Sequence, residues 1–199
     1  MRTLMIDWLG PMEEVRLARW VRRAQKGDRD AFQELYRRLY PITFRYVARR
    51  VPRREDAEDL VAQVFWRLLD GLERIDPRKG TLRAYVLSAA HRAVIDHVRA
   101  ATNRSVEWAE PILPDPSPGA LDQLIDGERA ASVRSALRAL PPEQQELLWL
   151  RYDSGLRFAE IADLLGLSEP AARQRASRAL RELRASLATD GDAKEEVVS

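Results

Sequence analysis

Apolar residues recur at spacings of three and four along almost the whole chain, and no segment keeps a period-two alternation rich in Val, Ile and Thr. That pattern predicts an all-α protein. It lapses once, in "SVEWAEPILPDPSPGALDQ", where Pro111, Pro114, Pro116 and Pro118 each remove a helix donor, so residues 104–123 are predicted to form an extended, semi-rigid linker. The linker divides the chain into two helical domains.

With 199 residues the chain buries enough surface to fold without a metal or disulfide staple, and it has no cysteine to build a thiolate site or a disulfide. No cofactor and no metal site are predicted. His91 and His97 lie well around their helix from each other, and no spaced Ser/His/Asp set or Gly-rich phosphate loop appears, so an enzyme is not expected. No apolar run approaches the roughly 20 residues of a membrane span, and "MRTLMIDWLGPM" carries Asp7, so neither membrane insertion nor a targeting signal is expected. A cytoplasmic protein is the expectation.

Charge is more informative in its distribution than in its total of +2. Residues 105–122 hold Glu107, Glu110, Asp115 and Asp122 with no Lys or Arg, whereas residues 170–184 hold five arginines against Glu182. Two different kinds of partner follow.

Along the first domain, one helix is predicted from Met12 to Lys26, stopping at Gly27, and a second opens with Asp30 and Gln33 as a capping box. Pro41 should kink the second. A third helix is expected from Glu55 to Ile75, broken by "DPRKG", and Thr81 caps a fourth that reaches Ala101. The second domain begins near Leu124, with Leu140-Pro141-Pro142 closing one helix and starting the next of three more. The tail 188–199 lacks apolar periodicity and is expected to be disordered.

Within the second domain, "FAEIADLLGLS" presents Ile161, Leu164 and Leu165 on one side, Gly166 where a tight turn needs a positive φ, and Ser168 as the cap of the following helix. Ala172, Ala176, Ala179, Leu180 and Leu183 fall on the inner face of that helix; Arg173, Gln174, Ser177, Arg178 and Arg181 fall on the other. Two short helices joined by a glycine turn, with Ala162 where they cross, form a helix-turn-helix over 158–177. Its second helix would enter the major groove, Arg173 suiting guanine O6/N7 and Gln174 adenine N6/N7, with Arg175, Arg178 and Arg181 placed for phosphates. An Arg-rich helix alone is more often a solvated face, but turn, cap, alanine crossing and basic face in order favour DNA.

In the first domain, Leu60, Val61, Val64, Phe65, Leu68, Leu69 and Leu72 define a buried face, and Asp59, Ala62, Gln63, Trp66 and Asp70 align opposite it. Trp66 among carboxylates is either an interface anchor or a residue packed on another helix of its own domain. Tyr85, Ser88, Arg92, Asp96 and Arg99 run along one strip of the fourth helix, which suits unstacked bases and phosphates of a single strand or, more plainly, a half-solvated packing helix.

Two long stretches, "GDRDAFQELYRRLYPITFRYVARRV…EDAEDLVAQVFWRLL…RIDPRKGTLRAYVLSAAHRAVIDHVR" and "ALRALPPEQQELLWLRYDSGLRFAEIADLLGLSEPAARQRASRALRELR", resemble regions 2 and 4 of bacterial extracytoplasmic-function (ECF) RNA polymerase sigma factors. The resemblance implies a region 2 helical bundle over 26–103 and a region 4 helix-turn-helix domain over 124–187, with the first 25 residues as an extension whose Met5 and Met12 are candidate starts. It implies that Asp59, Leu60, Ala62, Gln63, Trp66 and Asp70 bind the coiled coil of the beta-prime subunit of core RNA polymerase, with the beta subunit as a further partner. Asp76, Lys79, Thr81, Tyr85, Ser88, Arg92, Asp96 and Arg99 would melt and hold the minus-10 element of promoter DNA, and Ser168, Arg173, Gln174, Arg175, Ser177, Arg178 and Arg181 would read the minus-35 element. The acidic linker would thread the polymerase cleft, and an anti-sigma factor is an expected partner.

The chain departs from the family at Ala62-Gln63, where Gln followed by Glu or Asp is frequent, at Arg92, where Asn is frequent, and at Ala172 and Ala176, which replace Val and Leu. The rival readings are a helix-turn-helix repressor or response-regulator output domain that binds operators without polymerase, and a helical adaptor that sequesters a protein.

Overall fold

The computed structural model describes the backbone of residues 6–77, 79–102 and 128–196, and side-chain surroundings for 12–77, 79–100 and 132–188. Every regular element among the described residues is helical, as the spacing of apolar residues requires. The chain divides into two compact units, Met1–Ser117 and Pro118–Ser199. The linker expected at 104–123 lies outside the described residues.

The first unit contains α1 (Ile6–Ala24), α2 (Arg29–Ala48), α3 (Arg54–Asp70), a 3-10 turn at Leu72–Arg74 and α4 (Leu82–Thr102). Helix α2 packs on the other three, and α3 packs on α4. Leu17 and Val21 of α1, Leu35, Leu39 and Tyr46 of α2, Leu68 of α3 and Leu87 of α4 are fully buried and form the core. Tyr46 brings a hydroxyl into that core, where it is satisfied by His91 Nδ1 at 2.7 Å. On one flank, Tyr36, Tyr40 and Phe44, one turn apart along α2, meet in sequence, Tyr40 and Phe44 stacked and Tyr36 tilted; Tyr36 and Tyr40 also meet Phe65 of α3. Burial there, beside Tyr36 and Glu58, pushes the Tyr40 hydroxyl above the ordinary tyrosine range.

Several boundaries differ from the sequence pattern for identifiable reasons. Helix α1 begins at Ile6 rather than Met12 and ends at Ala24, with Gly27 at φ 84° making the reversal. The cap of α2 is Asp28, two residues before the predicted capping box: its extended backbone sets its carboxylate over the first turn, where it accepts the Ala31 amide at 3.0 Å. That amide, together with the Arg23 guanidinium, holds the Asp28 carboxyl below the usual range. Helix α2 is continuous across Pro41, and the Thr43 hydroxyl donates to the Leu39 carbonyl at 2.7 Å. Helix α3 ends at Asp70, not Ile75, because the chain beyond Gly71 finds tertiary partners: the Gln25 amide donates to the carbonyls of Leu72 at 3.0 Å and Ile75 at 2.8 Å. Thr81 caps α4 as predicted, its hydroxyl oxygen accepting the Ala84 amide at 3.2 Å.

The second unit contains α5 (Glu128–Ala139), α6 (Pro142–Leu148), a wide π turn at Trp149–Asp153, α7 (Phe158–Leu165) and α8 (Glu169–Glu196). Pro142 opens α6 in the first-turn position where its missing amide costs nothing, and the Gln145 side chain donates to the Leu140 carbonyl at 2.7 Å, satisfying the end of α5. Helix α8 is central: α5, α6 and α7 all pack on it, and Leu140, Leu148 and Ala179 meet Leu137, Tyr152, Leu180 and Leu183 in the core. The disordered tail expected from 188 is instead helical through Glu196. Its polar composition does not interrupt the helix, since Ala, Lys and Glu are strong helix formers and no proline intervenes.

Candidate functional site

Helix α3 sorts its residues as a 3.6-residue period demands. Leu60, Val61, Val64, Phe65 and Leu68 are buried, while Asp59, Ala62, Gln63, Trp66 and Asp70 are exposed. Trp66 is 71% exposed, which excludes its packing within its own domain and leaves a large aromatic side chain standing in solvent among carboxylates. Two assignments are corrected. Leu60, counted with the polymerase-binding residues, is only 5% exposed and belongs to the core; Leu69, counted with the core, is 44% exposed and joins the rim of the Trp66 surface. Both follow from the helical angle, since Leu60 aligns with Val64 and Leu69 with Trp66.

The loop from Asp76 to Thr81 connects the 3-10 turn to α4; Arg78 lies outside the described residues. Its start is fixed by the Gln25 clamp and by the Lys79 amide donating to the Asp76 carbonyl at 3.1 Å; its end is fixed by the Thr81 cap. Glu14 of α1 pairs with Arg83 at 3.2 Å and so ties the first turn of α4 to α1. From there the predicted strip holds: Tyr85, Arg92, Asp96 and Arg99 are exposed and Ser88 is half-buried, all on one side of α4, while Val86, Leu87, Ala90, Ala93 and Val94 face the core. Gly71 has a packing reason, for a Cβ there would stand 3.2 Å from the Tyr85 hydroxyl. The two histidines go to different neighbours, His91 to Tyr46 and His97 to Asp56 at 3.9 Å.

In the second unit, the Glu160 carboxylate closes the front of α7 by accepting the Arg157 amide at 2.9 Å. Gly166, at φ 66°, turns the chain, and the Leu167 amide returns to the Ala162 carbonyl at 2.9 Å. Ser168 Oγ accepts the Ala171 amide at 3.3 Å and opens α8. Ala162, Ala172, Ala176 and Ala179 are buried, and Arg173, Gln174, Arg175, Ser177, Arg178 and Arg181 are exposed, as the period predicts. Arg173 is held on two sides: Glu169 Oε1 accepts from its Nε at 3.1 Å and its Nη2 at 2.5 Å, and its guanidinium lies 5.0 Å from the Phe158 ring centroid. Arg151 sits 5.1 Å from the same ring. Arg175 reaches Glu143 at 4.0 Å. The supporting residues Gln25, Phe158 and Glu169 were missed in the sequence. Only Glu169 left a local signal, its four-residue spacing from Arg173.

Residues 35–104 match the model of Sigma-70 region 2, and residues 130–183 match that of Sigma-70, region 4. The chain belongs to the ECF sigma factors of the sigma-70 family. This sigma factor is 34% identical over 175 residues to the ECF RNA polymerase sigma factor ShbA of Streptomyces griseus, an alignment covering 83% of this chain and 92% of ShbA. It is 31% identical over 175 residues to the ECF RNA polymerase sigma factor BldN of Streptomyces coelicolor, covering 86% of this chain and 66% of BldN. Its fold is that of CnrH, solved in complex with the cytosolic domain of CnrY, with a TM-score of 0.55 at 23% identity over 88% of this chain and 99% of that one. A region 2 match beside the helix-turn-helix sets aside the repressor reading, which has no use for it. Among the described residues no helix of this sigma factor is long and apolar enough to cross a membrane.

Proposed function

We infer that the chain is an alternative sigma factor that binds core RNA polymerase and directs promoter-specific initiation of transcription from the cytoplasm, as a subunit that is not itself an enzyme. The observation that carries this reading is the pairing, in one chain and in family order, of an exposed tryptophan face on α3 with an arginine face on α8. Asp59, Ala62, Gln63, Trp66 and Asp70 serve as the polymerase-binding face. The loop from Asp76 to Thr81 and the strip from Tyr85 to Arg99 open and hold the minus-10 element, the tyrosine stacking on a base and the arginines neutralising phosphates. The helix-turn-helix reads the minus-35 element as a duplex, with base contacts from the first turns of α8 and phosphate grips from Arg178 and Arg181. The acidic linker passes through the polymerase without competing DNA, and an anti-sigma factor restrains the whole. Run-off transcription with purified core polymerase tests this: specific transcripts and open complexes are expected on promoters selected from the source genome, and their absence on every such promoter would sink the assignment.

A further inference from the structure

We propose that Glu169 is the positioning residue that makes Arg173 a reader of guanine rather than a grip for phosphate. The proposal rests on the assignment of Arg173 to base contact, and it concerns how that contact is selected.

An arginine carries five N–H donors, which offer two forks: the side-on pair of Nε and one Nη2 hydrogen, and the end-on pair of Nη1 and the other Nη2 hydrogen. Glu169 Oε1 occupies the side-on fork through both of its donors, at 3.1 and 2.5 Å. What remains is the end-on fork, with three hydrogens, pointing along the side chain. Two parallel donors in that arrangement match guanine O6 and N7 in the major groove. Phe158, opening α7, flanks the group from another direction, its ring centroid 5.0 Å from the guanidinium carbon, and Arg151 beside the same ring belongs to the π turn. The first residues of both helices of the helix-turn-helix thus hold one side chain, and part of the rotamer freedom lost on binding DNA is already surrendered.

The charge has a second effect. A phosphate approaching Arg173 would also meet the Glu169 carboxylate, whereas a guanine edge is neutral. Like-charge repulsion therefore penalises the sequence-independent contact and spares the specific one. Arg178 and Arg181 make no ion pair among the described residues and keep their donors for phosphate.

The test uses holoenzyme assembled from the full chain and core polymerase, bound to promoter duplexes in which each minus-35 guanine in turn is replaced by 7-deazaguanine, which lacks N7. The wild type is expected to lose about tenfold in affinity at one guanine, and Arg173→Ala to be indifferent to that replacement. Glu169→Gln keeps the shape of a side chain that is 41% exposed, so packing is untouched. It should reduce the discrimination to threefold or less, bind mismatched duplex several-fold more tightly, and steepen the dependence of log affinity on log salt by about one. A guanine whose discrimination is lost in Arg173→Ala but kept in full by Glu169→Gln, with an unchanged salt slope, would overturn the positioning role alone. Finding no sensitive guanine, or one that Arg173→Ala leaves sensitive, would overturn the base contact and the proposal with it.

Discussion

Helix α3 buries Leu60, Val61, Val64, Phe65 and Leu68 and leaves Trp66 exposed among carboxylates, whereas α8 buries alanines at 172, 176 and 179 and leaves arginines outside. Large side chains inside α3 hold it firmly within a four-helix unit, so its outer face is a broad, fixed platform. Small side chains inside the first turns of α8 let the backbone of α7 come close. The difference matches the two kinds of target: a protein surface rewards a central aromatic anchor, and a DNA groove rewards narrow projecting donors.

Leu60→Ala tests the comparison where the effect is largest, and should cost roughly 2–5 kcal/mol of stability in a denaturant titration while leaving polymerase affinity unchanged below the unfolding transition. If it instead weakened polymerase binding at unchanged stability, Leu60 would be a contact residue and the buried face of α3 would be wrongly drawn. Trp66→Ala should cost about 2 kcal/mol, or some thirtyfold, in affinity for core polymerase in a competition pull-down, with no change in stability. Equal affinity would remove Trp66 from the interface. Ala172→Leu should cost roughly 1–3 kcal/mol by overpacking and broaden or lower the melting of the second unit alone, followed by near-ultraviolet circular dichroism. A neutral outcome would show that the α7–α8 crossing has room for the larger residues usual in the family.

Much of both helices was legible in the sequence because a 3.6-residue period reports burial directly. The exposed sides of α3, α4 and α8, the positive φ at Gly166 and the cap at Thr81 all followed from local pattern. Leu60 went astray for a related reason. A family motif is contiguous along the chain, but a packed helix turns part of every such run inward, and the periodicity already placed Leu60 inside. The Gln25 clamp carried no local signal at all, since its partners lie 47 and 50 residues away and only the packed bundle brings them together. The end of α3 is hidden for a similar reason: Gly71 caps the helix, and the hydrogen bonds that hold the residues after it come from Gln25.

The wide turn at Trp149–Asp153 bears on the whole second unit in another way. A π turn holds one residue more than the α-helical path it replaces, so the extra residue is taken up within the turn and the flanking chain keeps its course. Within it, Arg151 donates to the Leu156 carbonyl at 3.2 Å and lies 5.1 Å from the Phe158 ring centroid. The same ring stands 5.0 Å from the Arg173 guanidinium, so the turn and the recognition helix share one aromatic neighbour. A base-reading side chain in such a domain is buttressed in part from outside the helix-turn-helix.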